Sequence, residues 1–395
     1  MPELDFLTEE AKELAGQVID WRRDLHKIPE LGFELHQTSA YIRQQLDRIG
    51  IRFQRAAQTG IVALIEGGTD GPTLALRADM DALPIKEETG LSYASSNGNM
   101  HACGHDAHAA MLIAAAEILH KHRHKLKGQV KLLFQPGEEG YGGAEAMIKD
   151  GCLENPAVDA IYGLHVGQIF PEVGLGQVGV CPGPIMAAAT KFRVVVKGQG
   201  THGALPHQGV DSIVIAAEMI LALQKIVSRE TDPLNPKVLT VGKIAGGEAI
   251  NIVTPRVEFS GDFRTLRVED REFVTRRLKE ICTATATAAR AEAEVEVFGG
   301  YPPTINDPCF AAKVADAAVS VIGRKNLINI TRPNMGTEDM SYYLKKVPGA
   351  YFALGTGNPA EGITYPHHNP KFNVDENVLW IGPALFARLA FDYLA

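Results

Sequence analysis

The rhythm of the chain changes near Val180, and that change constrains the fold more than any other feature of the sequence. Ahead of it, residues 9–26 and 37–49 have helical periodicity, while 61–66, 73–78, 129–134 and 159–164 are apolar runs of strand length. Asp106 is placed to cap a helix running to about residue 122, its carboxylate accepting from the amides of the first turn. Strands alternating with helices predict an α/β domain whose mostly parallel sheet is covered on both faces. After Val180-Cys-Pro-Gly-Pro184 the order becomes strand (190–197), helix (211–228), two strands (237–245 and 256–263), helix (268–290) and strand (292–298). This βαββαβ order is the ferredoxin-like arrangement, a self-contained unit. Gly299-Gly300 and Pro302-Pro303 then mark a return to the first pattern. The expectation is a first domain built from 1–185 and 299–395, with 186–298 inserted. A chain of 395 residues exceeds what one hydrophobic core usually serves, which agrees.

Residues able to bind divalent metal gather in four short stretches. They are His101-Ala-Cys103-Gly-His105-Asp-Ala-His108, Gly137-Glu138-Glu139-Gly140, Gly163-Leu-His165-Val and Pro366-His367-His368-Asn369-Pro370. Together they offer ligands for two ions and one carboxylate left over to move protons, the combination that metal-assisted hydrolysis needs. If 101–105 is extended, His101, Cys103 and His105 share a face, because side chains two apart point the same way. Glu138 and Glu139 follow an apolar run and a Pro136-Gly137 turn, and His165 ends another run. The C-terminal ends of strands are where α/β sheets place their ligands.

Composition excludes several classes. A net charge of -8 leaves no electrostatic footprint for nucleic acid or an anionic membrane. The N-terminus lacks the basic start and apolar run of a secretory signal, and no stretch approaches a membrane span, so a cytoplasmic protein is expected. The five cysteines are odd in number and scattered, which suits reduced thiols. Only Cys103 sits among histidines.

Several motifs carry a resemblance. Leu76-Arg-Ala-Asp79-Met-Asp81-Ala-Leu-Pro84, His101-Ala-Cys-Gly-His-Asp-Ala-His108, Phe134-Gln-Pro-Gly-Glu-Glu139, Met335-Gly-Thr-Glu-Asp339 and His368-Asn-Pro370 resemble the aminoacylase and hippurate hydrolase family of metal-dependent amidohydrolases. The match runs from Trp21-Arg-Arg-Asp-Leu-His26 almost to the last residue, with the motifs in the family's order and spacing. It implies a zinc-exopeptidase-like catalytic domain and gives the inserted ferredoxin-like domain the role of a lid or dimerisation module. It also implies metal ligands Cys103, His105, Glu139, His165 and His368, with Glu138 as general base and Asp81 orienting a ligand or tuning that base. His202, in Gly198-Gln-Gly-Thr-His202-Gly-Ala-Leu-Pro206, matches the histidine that stabilises the developing oxyanion, in some members from the partner subunit. Asn251 and Arg264 match positions that bind the substrate carboxylate, work that suits the planar fork of arginine.

The activity implied is hydrolysis of N-acetyl or N-benzoyl amino acids to a carboxylic acid and a free amino acid. A metallo-carboxypeptidase or dipeptidase on the same scaffold is the alternative. Two divalent ions per chain are expected, zinc or manganese first, with cobalt and nickel compatible with the same ligands. A homodimer or homotetramer acting on a small molecule completes the expectation, with no nucleic acid or membrane partner. The chain departs from the pattern at Gly137, where relatives commonly carry alanine, a change expected to loosen the turn that aims the glutamates. His367 and His368 form a doublet of which only the His-Asn-Pro context favours the second, and His101 and His108 are further candidate ligands or supporting donors. Two other classes compete. A thiol hydrolase using Cys103 with His105 meets the objection that neighbours two apart rarely reach that geometry. A non-catalytic binding protein would have little reason to keep Glu138.

Overall fold

The computed structural model describes residues 4–395 and divides into two compact units. The first comprises the residues up to Ile185 together with Thr304–Asn334 and Asp339–Ala395; the second comprises Met186–Pro303 and Met335–Glu338. Sequence rhythm places the return at 299, whereas the structure carries the second unit on to Pro303 and adds the short segment 335–338. Hydrogen bonds explain the addition: Ala187 N–H donates to Gly336 O at 2.9 Å, and Arg264 Nη1 donates to Met335 O at 2.8 Å.

Among the described residues, the first unit holds an eight-stranded sheet in the order Arg52–Ala56, Gly60–Glu66, Lys127–Gln135, Thr69–Asp79, Ala160–Gly167, Gly349–Gly355, Val178–Val180 and Leu327–Asn329. Four of its seven pairings are parallel, as the alternation predicts. Ala160–Gly167 and Gly349–Gly355 are buried at every position, which is why they read as continuous apolar runs. The helix His105–His122 is almost wholly buried and packs against the helices Ala15–His26 and Ile381–Leu394. Because Thr69–Asp79, Lys127–Gln135, Ala160–Gly167 and Gly349–Gly355 are mutually parallel, their C-terminal ends lie along one edge. Asp79, Gln135 and His165 stand at those ends.

The second unit is a four-stranded antiparallel sheet in the order Lys237–Gly246, Arg256–Thr265, Ala188–Lys197 and Glu292–Phe298. With the helices Ser212–Arg229 and Val268–Ala288 it realises the βαββαβ order. Ile215, Met219, Leu223 and Ile226 of one helix and Val274, Leu278 and Cys282 of the other cover Phe192, Val194, Phe259 and Phe263. Asp211 starts the first helix by accepting from Ile213 N–H and Val214 N–H.

Asp106 does not do this for its helix. The helix begins at His105 with Gly104 as N-cap and no side-chain cap, so Asp106 lies inside its first turn, where Oδ2 accepts from Arg22 Nε at 2.8 Å and from His26 Nδ1 at 2.7 Å. The carboxylate serves instead as the partner a buried guanidinium needs.

Candidate active site

The site is built on a turn that carries two glutamates. Lys127–Gln135 ends, Pro136 and Gly137 reverse the chain, and the helix Gly143–Lys149 follows. Asp81, buried just past the end of Thr69–Asp79, holds the turn: its carboxylate accepts from Glu138 N–H at 3.0 Å and from Glu139 N–H at 3.1 Å. Gly137 has φ 68°, and a Cβ there would come within 3.2 Å of Tyr141 Cβ. In this left-handed conformation glycine is the unstrained choice, so the expected loosening is not what the residue does here.

His101 to His105 is not extended. Residues 102–103 form a turn, Gly104 adopts φ 87°, and His105 opens the helix. The turn still presents Cys103 and His105 together, through a change of direction at glycine and not through strand alternation. His105 Nδ1–H donates to Asp81 O at 2.9 Å, which leaves Nε2 as the inward nitrogen, buried and without a hydrogen-bond partner. His165 Nδ1–H donates to Val166 O at 2.7 Å, which leaves its Nε2 3.5 Å from Cys103 Sγ. Carbonyl oxygens thus fix both tautomers with the lone pair aimed inward, the arrangement metal-binding imidazoles use.

Cys103, His105 and His165 form one group of potential ligands, Cys103, Glu139 and His368 a second, and His105, Glu138 and Glu139 a third; within each the ligand atoms lie within 4.8 Å of one another. All five expected ligands therefore meet around Cys103. His368 Nε2 lies 3.2 Å from Glu139 Oε1, close enough for an ion pair when the imidazole is protonated. His367 turns away: its Nε2–H donates to Val166 O at 3.0 Å and its ring lies against Phe372. His108 is also occupied, with Nε2 accepting from Val166 N–H at 2.9 Å and Nδ1–H donating to Asp79. His101 is buried outside these groups, neutral because burial lowers its pKa to about 3.

Electrostatics describe a pocket short of positive charge. Burial pushes the Cys103 thiol well above its ordinary pKa, and the Glu139, Glu138 and Asp79 carboxylates push it further. That environment does nothing to activate Cys103 as a nucleophile, which speaks against the thiol-hydrolase alternative. Burial works against a charged His105, yet Asp79, Asp81 and Glu139 hold its pKa up to about 10. His165 is pushed well below its usual value by burial and by the neighbouring His108 and His367. An unpartnered buried Nε2 atom, a thiol and an excess of carboxylate are a donor set that fits borderline divalent cations.

The second unit holds the remaining expected residues. His202 pairs with Ile252 in a two-stranded ribbon, and Gly203 N–H donates to Asn251 O at 2.7 Å, so His202 and Asn251 are neighbours. His202 Nδ1 accepts from Ala204 N–H at 3.0 Å, which places the proton on Nε2, and the side chain is exposed. Arg264 Nε donates to Asp262 at 2.9 Å and its Nη1 to Met335 O, so the fork is already oriented.

Sequence reading missed a buried network beneath the turn. Arg77, Asp79, Gln135 and Asp339 are all buried and linked by hydrogen bonds of 2.7–2.9 Å. Burial alone would raise the pKa of Asp79, but Arg77, His105 and His108 hold it well below the carboxylate range. The available signal was an arginine and an aspartate two apart at the end of the buried run Leu74-Ala-Leu-Arg-Ala-Asp79.

Residues 75–392 match the profile of peptidase family M20/M25/M40. The chain belongs to that family. Consistent with this, it is 42% identical over 368 residues to N-acetyl-L-cysteine deacetylase of Bacillus subtilis (strain 168), covering 93% of this chain and 85% of the relative. It is 36% identical over 396 residues to thermostable carboxypeptidase 1 of Saccharolobus solfataricus, covering 98% of each. Among solved structures, a dinuclear metal-binding peptidase of the M20 family from Bacillus subtilis superposes with a TM-score of 0.85 at 34% identity, covering 97% of this chain and 99% of that one. The M20 chain described here is a metal-dependent amidohydrolase. No helix among its described residues is long and apolar enough to cross a membrane.

Proposed function

We propose that this M20 enzyme hydrolyses the amide bond of N-acyl amino acids, releasing a carboxylic acid and a free amino acid, and that it works with two divalent ions, zinc or manganese. The observation that carries the reading is the meeting of Cys103, His105, His165, Glu139 and His368 with Glu138 at the edge of the group. Bound cations supply acidification of water and polarisation of the scissile carbonyl. Glu138, held at its amide by Asp81, takes a proton from the attacking water and returns it to the leaving nitrogen. Asp81 orients both the turn and, through its backbone oxygen, His105. His202, with its proton on Nε2, donates to the developing oxyanion, from its own subunit or a partner's. Asn251 and Arg264 bind the substrate carboxylate, which selects acyl amino acids over neutral amides. The deacetylase relative supports an N-acyl amino acid as substrate.

The test is a panel of N-acetyl and N-benzoyl amino acids followed by amine release, with Glu138→Ala as control. The variant is expected to be almost inactive while still binding metal; wild-type turnover in it overturns the assignment of the base. The carboxypeptidase relatives favour dipeptide hydrolysis as a second reading. Turnover of dipeptides without turnover of acyl amino acids selects that one.

The same reading makes the protein a cytoplasmic homodimer or homotetramer. Support for self-association comes from exposed apolar side chains on the second unit, Ile213, Val214 and Leu221 of one helix and Val238 and Ile244 of the edge strand Lys237–Gly246. Sedimentation showing only monomer at working concentration contradicts it.

A further inference from the structure

The motif Met335-Gly-Thr-Glu-Asp339 ends on a residue that the chemistry above leaves without a role, and that residue is fully buried. The Asp339 carboxylate accepts from Arg77 Nη2 at 2.8 Å, from Gln135 Nε2 at 2.8 Å to each oxygen, and from Ala144 N–H at 2.9 Å. Gln135 is the last residue of the strand before the glutamate turn, and Ala144 lies in the first turn of the helix after it. Asp339 therefore pins both ends of the turn whose middle Asp81 pins. Its own N–H points at Glu138 Oε1 at 3.4 Å, and the two carboxylates have oxygens within 4.8 Å. Arg77, 2.7 Å from Asp79 and 2.8 Å from Asp339, supplies positive charge on the Asp339 side of this pair.

We propose that Asp339 is the positioning residue that aims Glu138: its carboxylate fixes the ends of the turn and its amide fixes one oxygen of the base. The inference rests on Glu138 as the proton-transfer group. Aiming matters because misplacing a reacting group by about 1 Å costs on the order of 100-fold in rate.

Asp339→Asn tests it. Both oxygens of Asp339 accept hydrogen bonds, so the amide nitrogen of asparagine must face a donor whichever way it turns. The expected result is a fall in kcat of about 100-fold with KM changed less than about twofold, and unchanged metal content. A crystal structure of the variant should show Glu138 in more than one rotamer. Wild-type kcat in the folded, metal-loaded variant overturns the proposal, as does a loss that tracks metal loss ion for ion. Gln135→Leu removes one pin without changing charge and is expected to lower kcat about tenfold; where Asp339→Asn does not fold, it decides, and wild-type kcat in it overturns the proposal. Glu138→Ala run alongside separates the two ideas. If it is inactive while Asp339→Asn is fully active, only the positioning role falls; if it is active, the base itself is misassigned.

Discussion

Replacing Asp81 by asparagine should separate the turn from its anchor with almost no change in shape. The carboxylate is buried and accepts two backbone amides at 3.0 and 3.1 Å. Asparagine keeps one carbonyl oxygen, so one amide retains a bond of roughly half the strength, a loss of about 1 kcal/mol. The other amide then faces an NH2 group, and an orphaned buried donor costs about 1–3 kcal/mol. The sum is about 2–4 kcal/mol, corresponding to a fall in Tm of roughly 3–7 °C for a unit of this size. Thermal unfolding is measured with chelator present in both samples, so that cation binding to the native state does not enter the difference. A shift under about 1 °C, inside the range of an ordinary surface change, would mean that the carboxylate does not hold the turn.

Three further outcomes follow from the same geometry. Dialysis against a chelator should abolish activity, and metal analysis of the active protein should find about two ions per chain, the occupancy a binuclear centre needs; full activity in a metal-free sample refutes the centre. Burial would raise the pKa of Asp106, but Arg22 and His26 hold it far below the carboxylate range. The stability it contributes is therefore present above about pH 4 and lost as pH falls through the lower folded value. The gap between wild type and Asp106→Asn in urea midpoint, measured in chelator, should narrow as the pH is lowered from 7 to about 3; a constant gap refutes the linkage. Arg264→Ala should raise KM for acyl amino acids about 10- to 100-fold while sparing substrates whose carboxylate is amidated. Equal effects on both would show that the residue does not read the carboxylate.

Periodicity carried the fold a long way because the elements obey local rules. The inserted unit was legible from strand and helix lengths alone, and Ala160–Gly167 from its unbroken apolar run. What periodicity cannot see is competition across distance. Asp106 looks like a helix cap, yet its partners Arg22 and His26 lie some 80 residues earlier. The single helical stretch seen over 9–26 is two helices meeting at Leu14. Cys103 and His105 are brought together by a different local geometry from the extended one expected, because a left-handed Gly104 replaces the strand. The choice between His367 and His368 depends on which nitrogen meets Val166 O, a contact 201 residues apart in the chain. Asp339 was visible as a motif, but its meaning lies in Arg77, Gln135 and Ala144.

The donors around Cys103 come from widely separated parts of the polypeptide, and the whole antiparallel unit is spelled out between His165 and His368. During synthesis the early donors emerge while the last imidazole is still unmade. A nascent chain can hold an ion only through an open, incomplete set until translation has passed the insertion. Acquisition of the metal in its final coordination is therefore a late event in the life of the polypeptide, and a ribosome stalled within the insertion would hold a donor set unable to close its chelate.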